Sequence, residues 1–281
     1  MSWRPAEARD GDRLIAFLRS REPGAVVFSE HVITRGVGRK ASRYQKVLLF
    51  EEAGTITEAV LQTGAGFFAP TSSDGRLRQL PELRTLVAPE DSRVHSAMGE
   101  LKDVHEFTDA LALPLSQSVD YHLMYRSGET GLPFVEAPLP DLEYRWASSR
   151  DAKPLREIQE AYEREEVLLP GHIFDPRVSL ENLKYHLKTQ LVIYATHRSR
   201  VIAKAATNAR GFGCDQLGGV YTRPEYRRRG VGRWLVAILV RRLRKENKGA
   251  SLFVKPHNVA AVELYRSLGF SIVGPFRISY Y

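Results

Sequence analysis

A short stretch rich in arginine and glycine, Arg227 to Gly232, separates an apolar strand-like run from an apolar helix-like run. The strand-like run ends near Thr222, and the helix-like run begins at Arg233. The free N–H groups of a helix's first turn point along its axis, the helix dipole adds positive potential there, and glycine lets a ligand approach the backbone. The order of strand, glycine turn and helix therefore predicts a cradle for a phosphate group. By itself the stretch leaves several phosphorylated ligands equally open.

The helix-like run after this cradle, Arg233 to Asn247, is apolar on nearly all sides over two turns. Such a helix must pack against a sheet, which fixes the position of its N-terminus and therefore of the cradle. Its apolar residues are Trp234, Leu235, Val236, Ile238, Leu239, Val240 and Leu243.

Length and composition favour two domains without a membrane span or a metal site. The chain has 281 residues, of which 43% are hydrophobic, enough to build two cores. No stretch approaches the roughly 18 to 20 apolar residues of a spanning helix, and the first residues lack the core of a signal peptide, so we expect a soluble cytoplasmic protein. The single cysteine, Cys214, cannot form an internal disulfide, and no Cys/His cluster has the spacing of a zinc site, so no metal is implied.

The chain is basic, with a formal net charge of +8 and a pI near 9.6. This balance favours anionic partners, whether nucleic acid, an acidic protein or a phosphorylated cofactor. Between Arg223 and Lys248 the many basic residues are opposed only by Glu225 and Glu246, so the positive field concentrates around the cradle and the helix after it. We interpret the run from Arg241 to Lys248 as a solvated helix face.

The openings of the two halves of the chain resemble each other when they are shifted by 141 positions. Each opening reads as a short strand followed by an aspartate that caps a helix. We therefore predict an internal repeat of a whole domain, with a first domain over 1–130, a linker over 131–141 and a second domain over 142–281. The matched pairs are Arg4 and Arg145, Ala6 and Ala147, Arg9 and Arg150, Asp10 and Asp151, and Leu14 and Leu155.

The first half contains the letters Arg35-Gly36-Val37-Gly38-Arg39, which copy Arg229 to Arg233. No apolar strand precedes this copy and no apolar helix follows it, so we read it as a loop. The predicted elements of this half are a helix over Asp10 to Ser20, strands over Tyr44 to Glu52 and Thr55 to Gln62, helices over Leu80 to Leu86 and His95 to Leu111, and a strand over Val119 to Arg126.

The second half alternates strands and helices in an order that indicates an α/β domain with a mixed sheet. The predicted strands are Leu142 to Ala147, Leu191 to Thr196, Val201 to Arg210, Cys214 to Thr222, Ala250 to Val254, Ser271 to Val273 and Phe276 to Tyr281. The predicted helices are Asp151 to about Val167, Ser179 to Lys188, Arg233 to Asn247 and Asn258 to Leu268.

Two motifs of the second half resemble the signatures of the GNAT N-acetyltransferase superfamily. The stretch from Val220 to Gly232 resembles its acetyl-CoA-binding motif, Q/R-x-x-G-x-G/A, and Asn258 to Phe270 resembles its second signature, N-x-x-A-x-x-x-Y-x-x-x-G-F. The resemblance covers about 142–281, while the first half shares the repeated opening alone. It implies two tandem GNAT-like domains, each a mixed, mostly antiparallel sheet flanked by helices, of which the first has lost its pyrophosphate motif. One departure is Arg228, where the family often has glycine.

The resemblance implies that the second half binds acetyl-CoA. Backbone N–H groups at 228–233 would hold the pyrophosphate, and the strand edge at 220–222 would pair with the pantetheine arm. Gly218 and Gly219 fit a bulge or a close approach at this edge. The implied acetyl-CoA-binding residues are Val220, Tyr221, Thr222, Arg227, Arg228, Arg229, Gly230, Val231, Gly232, Arg233 and Asn258.

Tyr265, in the second signature, is by resemblance the general acid for the departing CoA thiolate. A phenol with a pKa near 10 gives a proton to a thiolate with a pKa near 8.5 only with help from the transition state, so we expect a modest rate effect. The alternative is a core aromatic residue. Asn258 is predicted to be a helix N-cap and, by resemblance, also a CoA contact.

The general base stays open at this point. Some members of the family carry a glutamate on the strand before the cradle, where this chain has Asp215 and Gln216, and glutamine can only orient a water. Glu165, Glu166 and His172 lie in the helix end and loop that border the acceptor site in the family. Deprotonation through an ordered water is the remaining alternative.

The resulting prediction is an N-acetyltransferase that transfers acetyl from acetyl-CoA to a primary amine by direct attack in a ternary complex. The alternative is a non-catalytic CoA-responsive or nucleic-acid-binding regulatory protein, which the basic surface and the missing base keep open. No nucleic-acid module is recognisable, so nucleic acid is not the expected partner. No motif encodes the acceptor, a small-molecule or peptide amine, or the oligomeric state.

Overall fold

The computed structural model describes residues 2–38, 46–87 and 94–281. The helices of the first half are α1 (Gly11–Arg35), α2 (Leu80–Val87) and α3 (Leu101–Leu111). Its strands are β1 (Arg4–Pro5), β2 (Lys46–Glu52), β3 (Thr55–Gln62), β4 (Phe67–Ser72), β5 (Ser96–Glu100) and β6 (Gln117–Arg126).

The second half repeats this order and adds one helix before its second strand. Its helices are α4 (Ala152–Tyr162), α5 (Pro176–Thr189), α6 (Val231–Lys245) and α7 (Val259–Arg266). Its strands are β7 (Leu142–Trp146), β8 (Val192–His197), β9 (Arg200–Arg210), β10 (Cys214–Thr222), β11 (Gly249–Val254) and β12 (Ser271–Tyr280). Across the three described ranges, no helix is both long and apolar enough to cross a membrane.

All twelve of these strands form one continuous sheet in the order β1-β2-β3-β4-β5-β12-β6-β11-β10-β9-β8-β7. Strands β1 to β6 correspond one by one to β7 to β12, so the order reads the same from either edge. Each half places its last strand inside the other half, because β12 pairs with β5 and β6 pairs with β11. This symmetry confirms the internal repeat and the tandem arrangement.

The strand exchange bears on the predicted domain boundaries. Strand β6 precedes the linker in sequence but pairs with β11 of the second half, from Ala250↔Arg126 to Val254↔His122. The division into 1–130 and 142–281 stays a prediction, and an isolated segment over 142–281 would lack β6. The full chain is therefore the unit in which binding and activity are measured.

The repeated opening folds in the same way in both halves. Asp10 accepts a hydrogen bond from the backbone N–H of Glu7 at 2.8 Å, and Asp151 accepts one from that of Ser148 at 2.8 Å. Arg4 pairs with Asp10 at 2.6 Å and lowers the pKa of that carboxyl to about 2. Each aspartate thus closes the turn before its helix. The predicted helix cap would instead accept a hydrogen bond from the first turn of the helix, and neither aspartate does so.

Helix α1 is longer than the sequence predicts. It runs to Arg35 instead of ending near Ser20, and Pro23 lies inside it. Proline removes one backbone hydrogen bond and crowds the preceding turn, and the helix bends at Ala25 (φ −121°, ψ 20°). Buried side chains beyond the bend, such as Phe28, stabilise its continuation against the sheet.

The segment that repeats the sequence of Arg229 to Arg233 begins at the C-terminus of α1. Gly36 has φ +74° and ends the helix, and Gly38 has φ +75°. A helix, not a strand, precedes these glycines, which confirms that they belong to a loop. Arg39 of the copy lies outside the described residues, as do Tyr44 and Gln45 of the predicted second strand.

Two predictions at the centre of the sheet are wrong. The segment predicted as one helix over His95 to Leu111 is strand β5 followed by helix α3. The two predicted terminal strands form the single strand β12, with an irregularity between Ile272 and Gly274. In both cases the pairing of β5 with β12 outweighs the local pattern, because strand formation depends on distant partners.

Arg126 ties the exchanged strand β6 to helix α7. Its side chain is 2% exposed, and its Nε donates a hydrogen bond to the carbonyl oxygen of Leu268 at 2.8 Å. The guanidinium also donates to the carbonyl oxygens of Ser127 and Thr130. A cation at the C-terminal end of a helix is favoured by the helix dipole. The first half therefore fixes the end of the helix that carries Tyr265.

Helix α1 adds a second contact between the halves. The carboxylate of Glu22, which is 4% exposed, accepts a hydrogen bond from the backbone N–H of Gly213 at 2.7 Å. Glu30 accepts from the backbone N–H of Arg210 at 3.0 Å and from the side chain of Gln190 at 2.7 Å. These carboxylates bind the loop and the strand that lead into β10.

The counterpart of the cradle helix α6 in the first half is the shorter helix α2. The segment after β4 leads to α2, which has 8 residues where α6 has 15. Asp103 of α3 binds the end of β4, because its carboxylate accepts hydrogen bonds from the backbone N–H of Ser72 at 3.1 Å and from the Ser72 hydroxyl. Burial raises the pKa of Asp103 to about 7.

We expect Asp103→Asn to remove part of the pH dependence of stability. A carboxyl whose pKa is higher in the folded than in the unfolded protein stabilises the fold below the unfolded pKa, and this stability is lost as pH rises to about 7. The loss is at most about 4 kcal/mol. Thermal unfolding between pH 4 and 8 should show that the melting temperature of the variant increases relative to that of the wild type as pH rises. Asp109→Asn, on the exposed face of the same helix, is the control, and a variant difference that is constant with pH would contradict this assignment.

Candidate active site

Strands β10 and β11 run side by side only at their beginnings. They pair in parallel from Cys214↔Gly249 to Gln216↔Ser251. Beyond this point β10 keeps its partner β9, and within the described chain no strand pairs with its other edge. An open strand edge can accept an extended, amide-bearing chain as an added strand. This is the edge at 220–222 for which the sequence predicts pairing with pantetheine.

Gly218 and Gly219 lie at an irregularity of β10. The pairing with β9 shifts between Gly218 and Tyr221, and Gly219 has φ +58°. A Cβ at position 218 would lie 2.0 Å from Nδ2 of Asn208, and a Cβ at position 219 would lie 2.9 Å from Nζ of Lys204. Both glycines are therefore required by polar side chains of the neighbouring strand.

The divergence of β10 and β11 opens a cleft of about 570 Å³. Its walls come from β10, β11 and α7, from the turn after α4, and from the exchanged strands β6 and β12. The strand exchange thus brings a residue of the first half, Tyr121, to the same cleft as Tyr265. The wall residues with polar side chains that matter most here are Tyr121, Tyr162, Glu166, Asn208, Asn258 and Tyr265.

The predicted cradle lies at the end of β10, where α6 begins. Gly230 is the N-cap of α6 with φ +80°, and Arg228 also has a positive φ, +59°. Glycine adopts such angles at little cost, which explains why the family often has glycine where this chain has Arg228. The helix begins at Val231, two residues before the predicted start at Arg233, so its first N–H groups belong to the cradle itself.

The side chains around the cradle suit an anionic group. Nε of Arg233 is buried and has no hydrogen-bonding partner among the described residues. A buried donor without a partner is costly, and a phosphate oxygen is an acceptor that would satisfy it. A Cβ on Gly232 would lie 3.3 Å from Oγ1 of Thr222, so the helix packs closely on the strand end. Pro138 of the linker lies beside Gly230.

Arg227 makes its contacts within the protein. Its guanidinium donates to the carbonyl oxygen of Thr222 at 3.0 Å and to the carboxylate of Glu165 at 2.7 Å, over the ring of Tyr221. The Tyr221 hydroxyl also donates to Glu165, at 3.0 Å. The Arg227 guanidinium lowers the pKa of Glu165. Arg227 thus joins the cradle to the turn after α4, while Arg229 remains exposed.

Asn258 and Tyr265 occupy the two ends of helix α7. The Asn258 side chain accepts a hydrogen bond from the backbone N–H of Ala261 at 3.2 Å, which confirms the predicted N-cap. Tyr265 is 8% exposed, and its ring packs against Phe270 while it also lines the cleft. Burial raises the pKa of Tyr265 well above its usual value, and Tyr162 and Glu166 raise it further.

Two of the residues considered for the general base lie in the paired beginning of β10. Asp215 is fully buried, and Lys248 and Arg210 bind its carboxylate at 2.7 Å and 3.1 Å. Gln216 is 2% exposed. Neither side chain belongs to the cleft walls. The two cations engage the Asp215 carboxylate in the core, away from the cleft.

The turn after α4 places the other candidates for the general base in different surroundings. The helical segment reaches Val167, as predicted, but its last part, Glu163–Val167, forms a π turn. Such turns are often found at functional sites. Glu166 lines the cleft, whereas the adjacent Glu165 faces Arg227, and His172 is exposed outside the cleft walls.

The motifs of the sequence do not indicate the part of the cleft that faces α4. Tyr162 precedes the π turn, Asn208 comes from β9, and Lys204 of β9 packs against the Tyr162 ring. One signal was available, since Lys204 interrupts an apolar strand pattern between Val201 and Ala206. The contribution of β6 had no such signal, because it depends on strand pairing across the two halves.

The basic run after the cradle is largely engaged in internal contacts. Arg242 pairs with Glu246 at 3.1 Å, Arg244 donates to the carbonyl oxygen of Gly128 at 3.0 Å, and Lys248 pairs with Asp215. These contacts engage part of the run within the fold, so the run is not the wholly solvated helix face that the sequence predicts.

Comparison with known proteins identifies the fold. Residues 153–270 match the model of the Acetyltransferase (GNAT) family. A Drosophila protein of known structure matches 99% of this chain and 98% of its own, with a TM-score of 0.70 and 14% identity. A tandem GNAT protein from the clavulanic acid biosynthesis pathway matches 99% and 97%, with a TM-score of 0.55 and 13% identity. An acetyltransferase from the GNAT family of Colwellia psychrerythraea matches 100% and 99%, with a TM-score of 0.53 and 13% identity. No curated protein matches the chain by sequence.

Fold and family match together define an acyltransferase. More narrowly, the match to the GNAT acetyltransferase family falls on the second half, over residues 153–270, and the whole chain has the fold of two GNAT-like halves in tandem. The GNAT fold generally uses acetyl-CoA as acyl donor and amines as acceptors. The structural neighbours share the fold with this chain at 13–14% identity and do not identify its acceptor.

Proposed function

We propose that this protein transfers the acetyl group of acetyl-CoA to a primary amine by direct attack in a ternary complex, within the cleft between β10 and β11. The observation that carries the proposal is the open edge of β10, which leads from the glycine bulge to the cradle at the start of α6. An open strand edge beside a helix N-terminus suits a ligand that combines amide groups with phosphates.

The cradle residues hold the donor and orient its thioester. Backbone N–H groups at 228–233 and the unpartnered Nε of Arg233 bind the pyrophosphate. The backbone of Val220, Tyr221 and Thr222 pairs with the pantetheine arm, and Asn258 borders it from the start of α7. This pairing places the thioester near the bulge at Gly219.

Glu166 is the general base in this proposal. It is the one carboxylate among the cleft-lining residues of the described chain, and the π turn places it there. Nζ of Lys255 lies 3.9 Å from its Oε2 and donates to its backbone carbonyl oxygen at 3.2 Å, which orients the turn. Glu166 accepts the proton of the acceptor's ammonium group, and the free amine nitrogen then attacks the thioester carbon.

Tyr265 donates a hydrogen bond to the sulfur as the thiolate leaves. Its high pKa keeps the phenol protonated, and within the described chain no side chain hydrogen-bonds to its hydroxyl, which leaves it free for the sulfur. A weak acid supplies most of its help late in the reaction, when charge has developed on sulfur.

The function is tested with the full chain, acetyl-CoA and a panel of amines that covers amino acids, polyamines, aminoglycosides and peptide N-termini. Calorimetry should show acetyl-CoA binding, and release of free CoA thiol should accelerate with at least one acceptor, whose acetylated product gains one acetyl group by mass. Binding without transfer to any amine would favour the non-catalytic alternative. No binding of acetyl-CoA would refute the cleft assignment itself.

We expect Tyr265→Phe to lower kcat by about 10-fold to 100-fold with little change in acetyl-CoA affinity, because only the hydroxyl is removed. Thermal unfolding serves as the check on packing, since the phenyl ring still fills the space against Phe270. A fall in the melting temperature with unchanged kcat would show that Tyr265 is a core residue only.

A further inference from the structure

Two polar side chains of β9 reach the glycine bulge from the side of α4. Gly218 leaves space for the amide of Asn208, and Gly219 leaves space for the amine of Lys204. The backbone N–H of Gly219 forms a hydrogen bond with the Tyr162 hydroxyl. Asn208 and Tyr162 line the cleft, and Lys204 stands directly behind Tyr162, with Nζ 4.4 Å from the centre of its ring.

Lys204 is a buried cation without an anionic partner. Its side chain is 4% exposed, and among the described residues no carboxylate lies within 4.0 Å of its Nζ. Burying an unpaired charge is costly, so folding alone would favour an apolar residue here. An anionic group that arrives from the cleft side would compensate this cost.

The groups that face Lys204 come from every element packed on this side of the sheet, and one of them, Glu163, carries a carboxylate. Burial lowers the pKa of Lys204 to about 7. The charge of Glu163 raises this pKa but does not outweigh burial. Glu163 is itself bound by the side chain of Gln159 at 2.7 Å. The titratable groups that face Lys204 are Tyr162, Glu163, His186, Tyr194 and Tyr221.

We propose that Lys204, Asn208 and Tyr162 form a carboxylate-recognition subsite, so that the acceptor is an amino acid or another amine that carries a carboxylate near its amino group. This inference rests on the proposed function and names its substrate class. Asn208 and the Tyr162 hydroxyl supply hydrogen bonds at the cleft surface, and Lys204 supplies the positive charge one side chain behind it. Lys204 is therefore a positioning residue, and Glu166 receives the ammonium end of the same molecule.

The subsite has a signature that does not depend on catalysis. A carboxylate that binds beside Lys204 favours its protonated form, so binding above pH 7 takes up a proton. Calorimetry on the complex of the full chain with CoA, at pH 8 in two buffers of different ionisation enthalpy, measures this uptake. The probes are matched pairs with and without the carboxylate: glycine and methylamine, L-lysine and cadaverine, and L-phenylalanine and phenethylamine.

At least one carboxylate-bearing probe should bind at least 10-fold more tightly than the matched amine without the carboxylate. Its binding should take up close to one proton. Lys204→Met should remove both the preference and the proton uptake, whereas Lys184→Met, on the exposed face of α5, should keep both. Asn208→Ala should weaken the preference and leave the proton uptake in place.

Three results would overturn the subsite: equal affinity within every pair, no binding of any carboxylate-bearing probe, or a preference that survives in Lys204→Met. Failure of the proposed function looks different: either CoA does not bind in the first titration, or it binds and no amine of the panel is acetylated, whereas the subsite is judged from binding and proton uptake alone. A melting temperature measured for each variant separates a lost subsite from a lost fold.

Discussion

Gly230→Asp is expected to reduce the affinity for acetyl-CoA by 100-fold or more. The N-cap position of α6 is the point at which the free N–H groups meet the predicted pyrophosphate, so a carboxylate there repels the phosphates at short range. Calorimetric titration of the full chain with acetyl-CoA measures the effect. An affinity within a factor of three of the wild type would refute the cradle assignment.

Backbone strain has to be separated from charge in this experiment. Gly230 has φ +80°, where a side chain costs about 1 kcal/mol whatever its charge. Gly230→Asn has the same shape and the same strain without the negative charge, so it should keep affinity within about 10-fold of the wild type. Gly54→Asp, at φ +81° in the hairpin between β2 and β3, where a Cβ meets no other atom, shows the cost of strain and charge away from the cleft.

Glu166→Gln is expected to lower kcat by about 100-fold to 1000-fold, the usual contribution of a positioned general base. The affinity for acetyl-CoA should stay close to that of the wild type, because glutamine keeps the shape of the side chain and the hydrogen bond from Lys255 reaches the backbone carbonyl oxygen. Single-turnover kinetics with a saturating acceptor measure the chemical step directly.

Neighbouring glutamates provide sharp controls. Glu160→Gln, on the solvent side of α4 beside Arg156, should change neither kcat nor affinity by more than about twofold. Glu165→Gln should show the opposite pattern to Glu166→Gln, since it loosens Arg227 beside the cradle and so weakens donor binding. If Glu166→Gln keeps kcat within twofold of the wild type, the proton leaves through ordered water.

The cradle is the part of the site that sequence predicts best. A strand that ends in a glycine turn before an apolar helix is a local pattern, since each element depends mainly on residues within a few positions. The structure adds φ +59° at Arg228, an unpartnered Nε at Arg233, and a helix start at Val231 in place of Arg233. These details describe the position that the sequence predicts for the cradle, whose role in binding stays a prediction.

The sequence does not identify the residue that we propose as the general base. Glu165 and Glu166 are adjacent and chemically identical, and no local pattern distinguishes them. The π turn places Glu166 in the cleft and leaves Glu165 against Arg227, which lowers its pKa. Asp215 looked equally plausible in sequence, but two cations from distant positions, Arg210 and Lys248, bind it in the core.

Sequence alone predicted the repeat, most of the order of elements in the second half, the proposed cradle and the second signature up to Tyr265, because each of these is a pattern of neighbours along the chain. Only the tertiary structure decided that the halves exchange their last strands, that β6 helps to build the cleft, that Asp103 binds the end of β4, and that Lys204 is buried with no ion pair to a carboxylate among the described residues. The physical reason is that strand pairing, burial and charge compensation depend on residues more than 100 positions apart, and their free energy is gained only once the whole sheet has formed.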